Sequence, residues 1–321
     1  MEQLHVVVVG DVMLDNYWWG DVERISPEAP VPIVTLKKRE ARLGGAANVA
    51  LNCRSLGAKV TLASIVGDDK DGALLIQLAK DAGINTDTIQ LSTHRPTTTK
   101  TRVISRNQQM MRLDDEITEE LFLEEEHRFI DTMLRFLQLQ KPDVLIFEDY
   151  NKGVLKENVI QRIAAHCKEI GIITSVDPKK NNFLSYKGVT IFKPNLKEVR
   201  EALNIQLDRI DEASLSQVDD KLKEELHHEI TFITLSEKGV FFNNTHSAEI
   251  IPSHIRNIAD VSGAGDTVIA TASMIYALTK DAHLMAEISN LAGGLVCEQV
   301  GVVPINKDLL FEEASKLLSA N

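Results

Sequence analysis

Continuous apolar runs alternate with segments of helical period along most of the chain. Val6–Val9, closed by Gly10-Asp11, has the pattern of a strand buried on both faces that ends in a loop. Val60–Val66, Val144–Phe147, Ile172–Val176, Thr190–Lys193 and Ile230–Leu235 repeat it. Between them, helices are predicted over Ala46–Leu56, Gly72–Ala82, Glu119–Leu139, Lys156–Ile170 and Leu196–Leu203, the first two closed by Gly57 and Gly83. Val240–Asn243 and Ala248–Ile251 suggest a late antiparallel pair, and Gly265–Thr279 and His283–Glu298 two final helices. Strands alternating with helices of this length imply a mostly parallel sheet covered on both faces, with ligands beyond the carboxyl ends of its strands.

Two segments break the pattern. Tyr17–Leu36 holds Trp18, Trp19 and three prolines, and reads as short exposed strands with prolines at edges. Thr97–Leu113 is rich in β-branched and basic residues and reads as a hairpin turning near Asn107. Pairing the two predicts a small β lid, with Trp18 and Trp19 packing.

Composition narrows the function. The 321 residues carry a net charge of −12, which argues against nonspecific binding to nucleic acid or an acidic membrane surface. No apolar run approaches a membrane span, and Val6–Val9 is too short for a signal-peptide core. Cys53, Cys167 and Cys297 are odd in number and lack metal-site spacing, which fits buried small residues in a reducing, cytoplasmic setting. His227-His228 reads as the surface end of a charged helix.

The most pointed motif is Asp260-Val261-Ser262-Gly263-Ala264-Gly265-Asp266-Thr267, running into an apolar helix. Its glycines let backbone approach an anion, and a helix start favours negative charge. An aspartate here would repel that anion if it only capped the helix. It makes sense as a group that takes a proton from an attacking hydroxyl in phosphoryl transfer. A plain glycine-rich cap is the competing reading. Asp15 and Asn48 suit a sugar's hydroxyls, with a loop-capping aspartate as the alternative for Asp15. Asn195 and Glu198 share a helix start, as a capping box or as oxygen groups for Mg²⁺ through water, or both. Ser236-Glu237-Lys238-Gly239 is by itself a turn. Asn290, Gly293 and Gly294 could admit an adenine ring or pack two helices.

Gly263-Ala264-Gly265-Asp266-Thr267 and Gly44-Gly45-Ala46-Ala47-Asn48 resemble the two signatures of the ribokinase-like (PfkB) carbohydrate kinases. Arg24-Ile25-Ser26-Pro27-Glu28-Ala29-Pro30-Val31-Pro32 is more specific. With Gly10–Asp15, Ser105–Gln109, Asp177-Pro178-Lys179 and Lys193–Glu198, it resembles the D-glycero-D-manno-heptose-7-phosphate kinases, the kinase half of the ADP-heptose synthesis enzymes.

The resemblance implies a three-layer α/β/α fold with a mostly parallel central sheet and a small β lid. It implies Asp266 as catalytic base, with the amides of Gly263, Ala264 and Gly265 as the anion hole. The sugar would meet Asp15, Gly44, Gly45 and Asn48, and its phosphate Arg106, Lys179 or Lys152. ATP would meet Asn195, Glu198, Ser236, Lys238, Gly239 and Asn290, with Mg²⁺ near Glu198; activation by K⁺ stays open. The reaction implied is ATP-dependent phosphorylation of the heptose 7-phosphate at its C1 hydroxyl, giving the 1,7-bisphosphate for ADP-heptose and lipopolysaccharide core synthesis. The chain is expected to be one kinase domain over residues 1–321, with lid segments at about 16–37 and 96–114. It lacks a His-x-Gly-His motif, so no adenylyltransferase domain is expected. A homodimer through the lid is expected, as lid strands in this family pair between subunits.

Two places depart from the pattern. Glu148 stands before Asp149-Tyr150 where a small residue is expected, and Lys180-Asn181-Asn182 replaces a glycine-containing turn. Alternatives are a kinase for another sugar phosphate, such as fructose 1-phosphate or tagatose 6-phosphate, and a non-catalytic sugar-phosphate or nucleotide sensor. Retention of Asp266 and its glycines argues against the sensor. P-loop, protein-kinase and dinucleotide-binding motifs are absent.

Overall fold

A computed structural model describes every residue except Asn107, Ile255 and Asn321. Strand β1 (His5–Gly10) sits inside an eight-stranded sheet. It is flanked by β4 (Lys59–Ala63) and β9 (Val144–Glu148), and beyond β9 come β10 (Ile173–Asp177), β11 (Ile191–Phe192) and β12 (Ile230–Thr234), all parallel. Strands β13 (Val240–Asn243) and β14 (Ala248–Ile251) complete one edge antiparallel.

Period-two alternation divides each strand between two cores. Val6, Val8, Val144 and Ile146 join one cluster; Val7, Val9, Leu145 and Phe147 join the other. Helices α1 (Ala46–Ser55), α2 (Lys70–Asp81), α7 (Ala264–Thr279), α8 (Ala282–Cys297) and α9 (Lys307–Ala320) cover the first face. Helices α3 (Leu123–Gln140), α4 (Glu157–Ile170), α5 (Leu196–Leu203) and α6 (Glu212–Leu226) cover the second. Each fully buried aliphatic side chain in these layers contributes about 1.5–3 kcal/mol of transfer free energy. The result is the three-layer α/β/α arrangement that the sequence pattern implies.

The expected strand over Val60–Val66 is interrupted at Ser64, whose hydroxyl donates to Gly10 O at 2.6 Å. The chain resumes as β5 (Ile65–Gly67), which pairs with β6 (Gln90–Ser92) in a separate ribbon. Helix α9 follows the two helices expected last; its Leu310 and Ala314 seal the first core.

A second sheet has the order β3 (Pro32–Gly45), β2 (Val12–Ile25), β7 (Thr99–Ser105), β8 (Gln108–Asp115). Its strands were expected to be short and to occupy about 16–37 and 96–114. Instead β2 and β3 are long, 14 residues each, and run from the edge of the main sheet outward. Pro27 and Pro30 lie in the turn between them, and Pro32 opens β3 opposite Ile25, where each costs no ladder bond. The expected turn residue Asn107 lies outside the described residues. Trp19 stacks on Tyr17 at 5.7 Å, and Lys38 and Arg39 lie over the Trp19 and Trp18 rings.

His228 corrects the surface reading of the histidine pair. His227 is exposed and takes the left-handed helix end, whereas His228 is buried, its Nε2 2.5 Å from Thr231 Oγ1 and its pKa pushed down to about 3 by burial. Cys53 and Cys167 are buried free thiols, and Cys297 is half-buried.

Gly10 lets β1 and β9 approach closely: a Cβ there would lie 1.9 Å from Glu148 O. Both partners are backbone, so no rotamer relieves the clash. Gly10→Ala is expected to lower stability by about 2–3 kcal/mol in chemical denaturation, the cost of an overpacked core.

Candidate functional site

The carboxyl ends of β1, β9, β10 and β11 deliver Asp11, Glu148, Asp149, Asp177 and Lys193 to one edge of the sheet, where α7 starts. Gly263, at φ 80°, turns the chain into α7, whose first turn carries Asp266. Asp266 is only 6% exposed. Its Oδ2 accepts from Asn48 Nδ2 at 2.6 Å, and its Oδ1 accepts from the Tyr150 hydroxyl at 2.9 Å. Three separate segments thus meet at one carboxylate: α1, the loop after β9, and α7. Burial, with a smaller push from Asp177, raises its pKa to about 6, while Asn48, Tyr150 and Lys179 hold it from rising further. Because the folded state binds this proton more tightly than the unfolded chain, Asp266 is a stability cost that grows as pH rises from about 4 to 6.

The expected sugar contacts come together only in part. Asn48 gives one amide hydrogen to Asp266. Gly44 faces Asp15, whose Oδ2 would lie 2.3 Å from a Cβ there, and Gly45, at φ 59°, approaches Asp11 O. These two glycines therefore make room for protein carboxylate and carbonyl oxygens, where the sequence reading had them admit the sugar. Asp15 itself pairs with Arg102 Nη1 at 2.5 Å across β2 and β7. Arg102 was not singled out from the sequence; its signal is the Asp15–Lys100 register, which places it two positions further along the strand pair.

The expected phosphate cations sit in different surroundings. Lys179 Nζ pairs with both Asp177 Oδ1 and Glu198 Oε1 at 2.9 Å, and Lys152 Nζ pairs with Glu116 at 2.7 Å. Neither is a spare charge. Arg106 is exposed in the end turn of the second sheet, at φ 49°, several residues outward from Asp15. The structure does not bring it to Asp266.

Asn195 and Glu198 form a complete capping box. Asn195 Oδ1 accepts from Glu198 N at 2.9 Å, and Glu198 Oε2 accepts from Asn195 N at 2.8 Å. Both Glu198 oxygens already have partners, which fits contact with a hydrated Mg²⁺ and not direct ligation. Among the described residues no cluster of three or more His, Cys, Asp or Glu could hold a metal alone. Asn195 bridges to Thr234, so the Ser236–Lys238 turn and Gly239 lie beside the start of α5. Asn290 Nδ2 donates to Pro252 O at 2.8 Å, committing its amide to the chain after β14. Gly293 packs on Val268, which favours helix contact over an adenine slot. At the start of α7, the Ala264 amide turns back to Val261 O at 3.3 Å, while Gly265 is exposed.

Sequence reasoning passed over three further residues here. Asp11 accepts from the amides of Tyr150, Lys152 and Val154 at 2.9–3.1 Å and shapes the loop that aims Tyr150. Lys193, 2% exposed, pairs with Asp177 at 2.8 Å. Tyr150 adjoins a motif noted only for its departure. A surface cavity of about 270 Å³ between Lys168, Thr190, Glu229, Tyr276 and Lys280 lies at the opposite, amino edge of the sheet and includes none of these groups.

The sequence matches the pfkB family carbohydrate kinases over residues 3–308. The chain belongs to that family. It is 41% identical over 315 residues to the bifunctional protein HldE of Methylobacillus flagellatus, covering 98% of this chain and 64% of that protein. It is 38% identical over 296 residues to HldE of Helicobacter pylori, covering 92% and 63%. The kinase thus spans under two thirds of the length of these curated relatives. Phosphofructokinase-2 from Escherichia coli, in complex with potassium, superposes with a TM-score of 0.80 at 16% identity, covering 99% of both chains. Arabidopsis thaliana ribokinase complexed with ribose and ATP gives 0.75 at 16%, covering 97% and 99%. These two likenesses show the fold. No helix among the described residues is long and apolar enough to cross a membrane.

Removing the Asn48 donor tests the electrostatics directly. A hydrogen bond to a charged group contributes about 1.5–3 kcal/mol, and about 1.4 kcal/mol corresponds to one pKa unit. Asn48→Ala is therefore expected to move the Asp266 midpoint upward by at least about one unit, read from a ¹³C-carboxyl NMR titration. An unchanged midpoint would show that Asn48 does not support the charged form.

Proposed function

We propose that this kinase transfers a phosphoryl group from ATP to the C1 hydroxyl of D-glycero-D-manno-heptose 7-phosphate, with Asp266 as base. The observation that carries the reading is the Asp266 carboxylate, held by Asn48 and Tyr150 at the start of α7, on the sheet edge where α/β enzymes bind ligands. A base near pKa 6 is largely ionised at neutral pH and still basic enough to accept an alcohol proton. The choice of sugar is supported by the Arg24–Pro32 stretch and by identity to HldE proteins across nearly the whole chain.

In this reading Asp266 takes the proton of the C1 hydroxyl, and the proton remains on its carboxyl as the C1 oxygen bonds to the γ-phosphorus, whose bond to the bridging oxygen breaks and releases ADP. Tyr150 and Asn48 keep the carboxylate aimed and charged. The exposed Gly265 amide and the helix start face the transferring group, which gains its stabilisation from fixed dipoles. Asn195, Glu198, Ser236, Lys238 and Gly239 form the nucleotide side, and Mg²⁺, when bound with ATP, offsets phosphate charge there. Asp15 and Arg102 lie on the sugar side, under a second sheet that serves as the lid of a single kinase domain. Met110, Met111 and Leu113 on the exposed edge strand β8 suit pairing with a second copy.

Two measurements test this. Asp266→Asn is expected to lower kcat by at least about 10²-fold, the scale of general-base loss, without lowering Tm at neutral pH, since the amide removes a buried charge. Turnover near that of the parent would refute the base assignment. Among heptose 7-phosphate, fructose 6-phosphate, fructose 1-phosphate, tagatose 6-phosphate, ribose and adenosine, the heptose should give the highest kcat/KM. A higher value for any other acceptor reassigns the substrate and leaves the base untouched.

A further inference from the structure

Glu148 ends β9, in register with Gly10 on one side and Asp177 on the other. Val144 and Ile146, four and two positions back, enter the core under α1 and α7, so Glu148 faces the same side as Asp266. The residue is fully buried, and neither Oε1 nor Oε2 has a hydrogen-bond partner. The charged and titratable groups around it are Asp177 from β10, Asp266 from α7, Lys179 and Lys193 from the loops after β10 and β11, and the Tyr150 and Tyr186 phenols. Both lysines are engaged at 2.8–2.9 Å by Asp177, and Lys179 also by Glu198, so neither is an ion-pair partner for Glu148. An ionised carboxylate here would be buried without a donor, beside two other carboxylates. A neutral acid in the same place costs far less.

We propose that Glu148 is a positioning residue that sits as an uncharged carboxylic acid beneath Asp266 and closes, at the alkaline end, the pH window in which Asp266 works as base. The inference rests on the reading of Asp266 as base, and not on which sugar is phosphorylated. The two carboxyls ionise in order. Asp266 loses its proton near pH 6, while burial and the facing charges of Asp177 and Asp266 hold Glu148 well above the usual carboxylate range. Between the two steps the site carries one negative charge fewer than its carboxylates could supply. Above the second step, the Glu148 proton leaves to solvent, and a further charge lies under the base and beside the helix start that faces the transferring phosphate. That charge opposes a reaction whose phosphate groups are already anionic. A small residue, as the related pattern has at this position, would impose no such upper limit.

The test compares the parent with E148Q, which holds the side chain neutral at every pH. With whichever sugar phosphate the parent turns over, its kcat/KM is expected to fall roughly tenfold per pH unit above the Glu148 ionisation, as for loss of one essential proton. E148Q is expected to lose that limb while keeping the acid limb set by Asp266. Identical alkaline limbs in both proteins overturn the proposal. So does a loss in folded E148Q of about 10²-fold or more at neutral pH, the scale of a lost general acid–base group, since that would require the charged form. E148S carries the same comparison if E148Q does not fold. A second readout needs no substrate: at about pH 7, above the Asp266 midpoint and the usual carboxylate range, difference infrared spectra of the parent against E148Q should show the carbonyl band of a protonated carboxyl. Absence of that band in the parent overturns the proposal even if the sugar assignment stands.

Discussion

The hydrogen bonds that Asn48 and Tyr150 donate to Asp266 join three distant parts of the chain. Asn48 comes from the first turn of α1, directly after the long strand β3. Tyr150 follows β9, and Asp266 opens α7, more than two hundred residues after Asn48. The contact needs the second sheet, the main sheet and the first helical layer all in register. Asp11 enforces this from below by accepting three amides of the loop that carries Tyr150. Shifting β1 against β9 would therefore move the base, which ties the close packing at Gly10 to the chemistry at the sheet edge.

A second constraint is charge. The edge gathers Glu148, Asp177, Glu198 and Asp266 around only two lysines, in a protein of net charge −12. The lysines are shared: Lys179 bridges Asp177 and Glu198, and Lys193 doubles on Asp177. Asp177 is held below its usual range by them, whereas Asp266 and Asp149 are pushed up to about 6 and Glu148 higher still. Desolvation is common to Asp177, Asp266, Asp149 and Glu148; the lysines hold Asp177 charged, while hydrogen bonds from Asn48 and Tyr150 favour the charged form of Asp266. On the proposed function, an anionic substrate at this edge would meet helix starts and backbone amides, which is how an acidic protein can hold phosphate.

The parts of this design visible in the sequence are those written in local pattern. The apolar runs from Val6 to Phe147 marked the parallel strands, because burial on both faces demands them. Asp266 was visible because a glycine-bounded helix start with an acid in its first turn is odd without a task. The Asn195–Glu198 box was visible because capping is local. What was hidden depended on distant partners. Lys179 reads as a free loop cation until Asp177 and Glu198 close on it. Asn48 reads as a sugar ligand, and its bond to Asp266 is invisible until α7 arrives. His228 reads as surface because its burial comes from Phe192 and Thr231 on other strands.

Glu148 shows how such a gap arises. In sequence it is a substitution in a loop-edge motif, with nothing nearby to give it a role. Its meaning follows from alternation along β9, which turns it toward α7, and from the registers that set Gly10 and Asp177 on either side. A carboxyl placed there has no donor to stabilise its charge, and two carboxylates face it. Its protonation state is therefore governed by the same packing that buries Asp266. The two groups differ because Asp266 has Asn48 and Tyr150, and Glu148 has neither. Two hydrogen bonds separate a carboxyl that works as a base near neutrality from one that stays an acid.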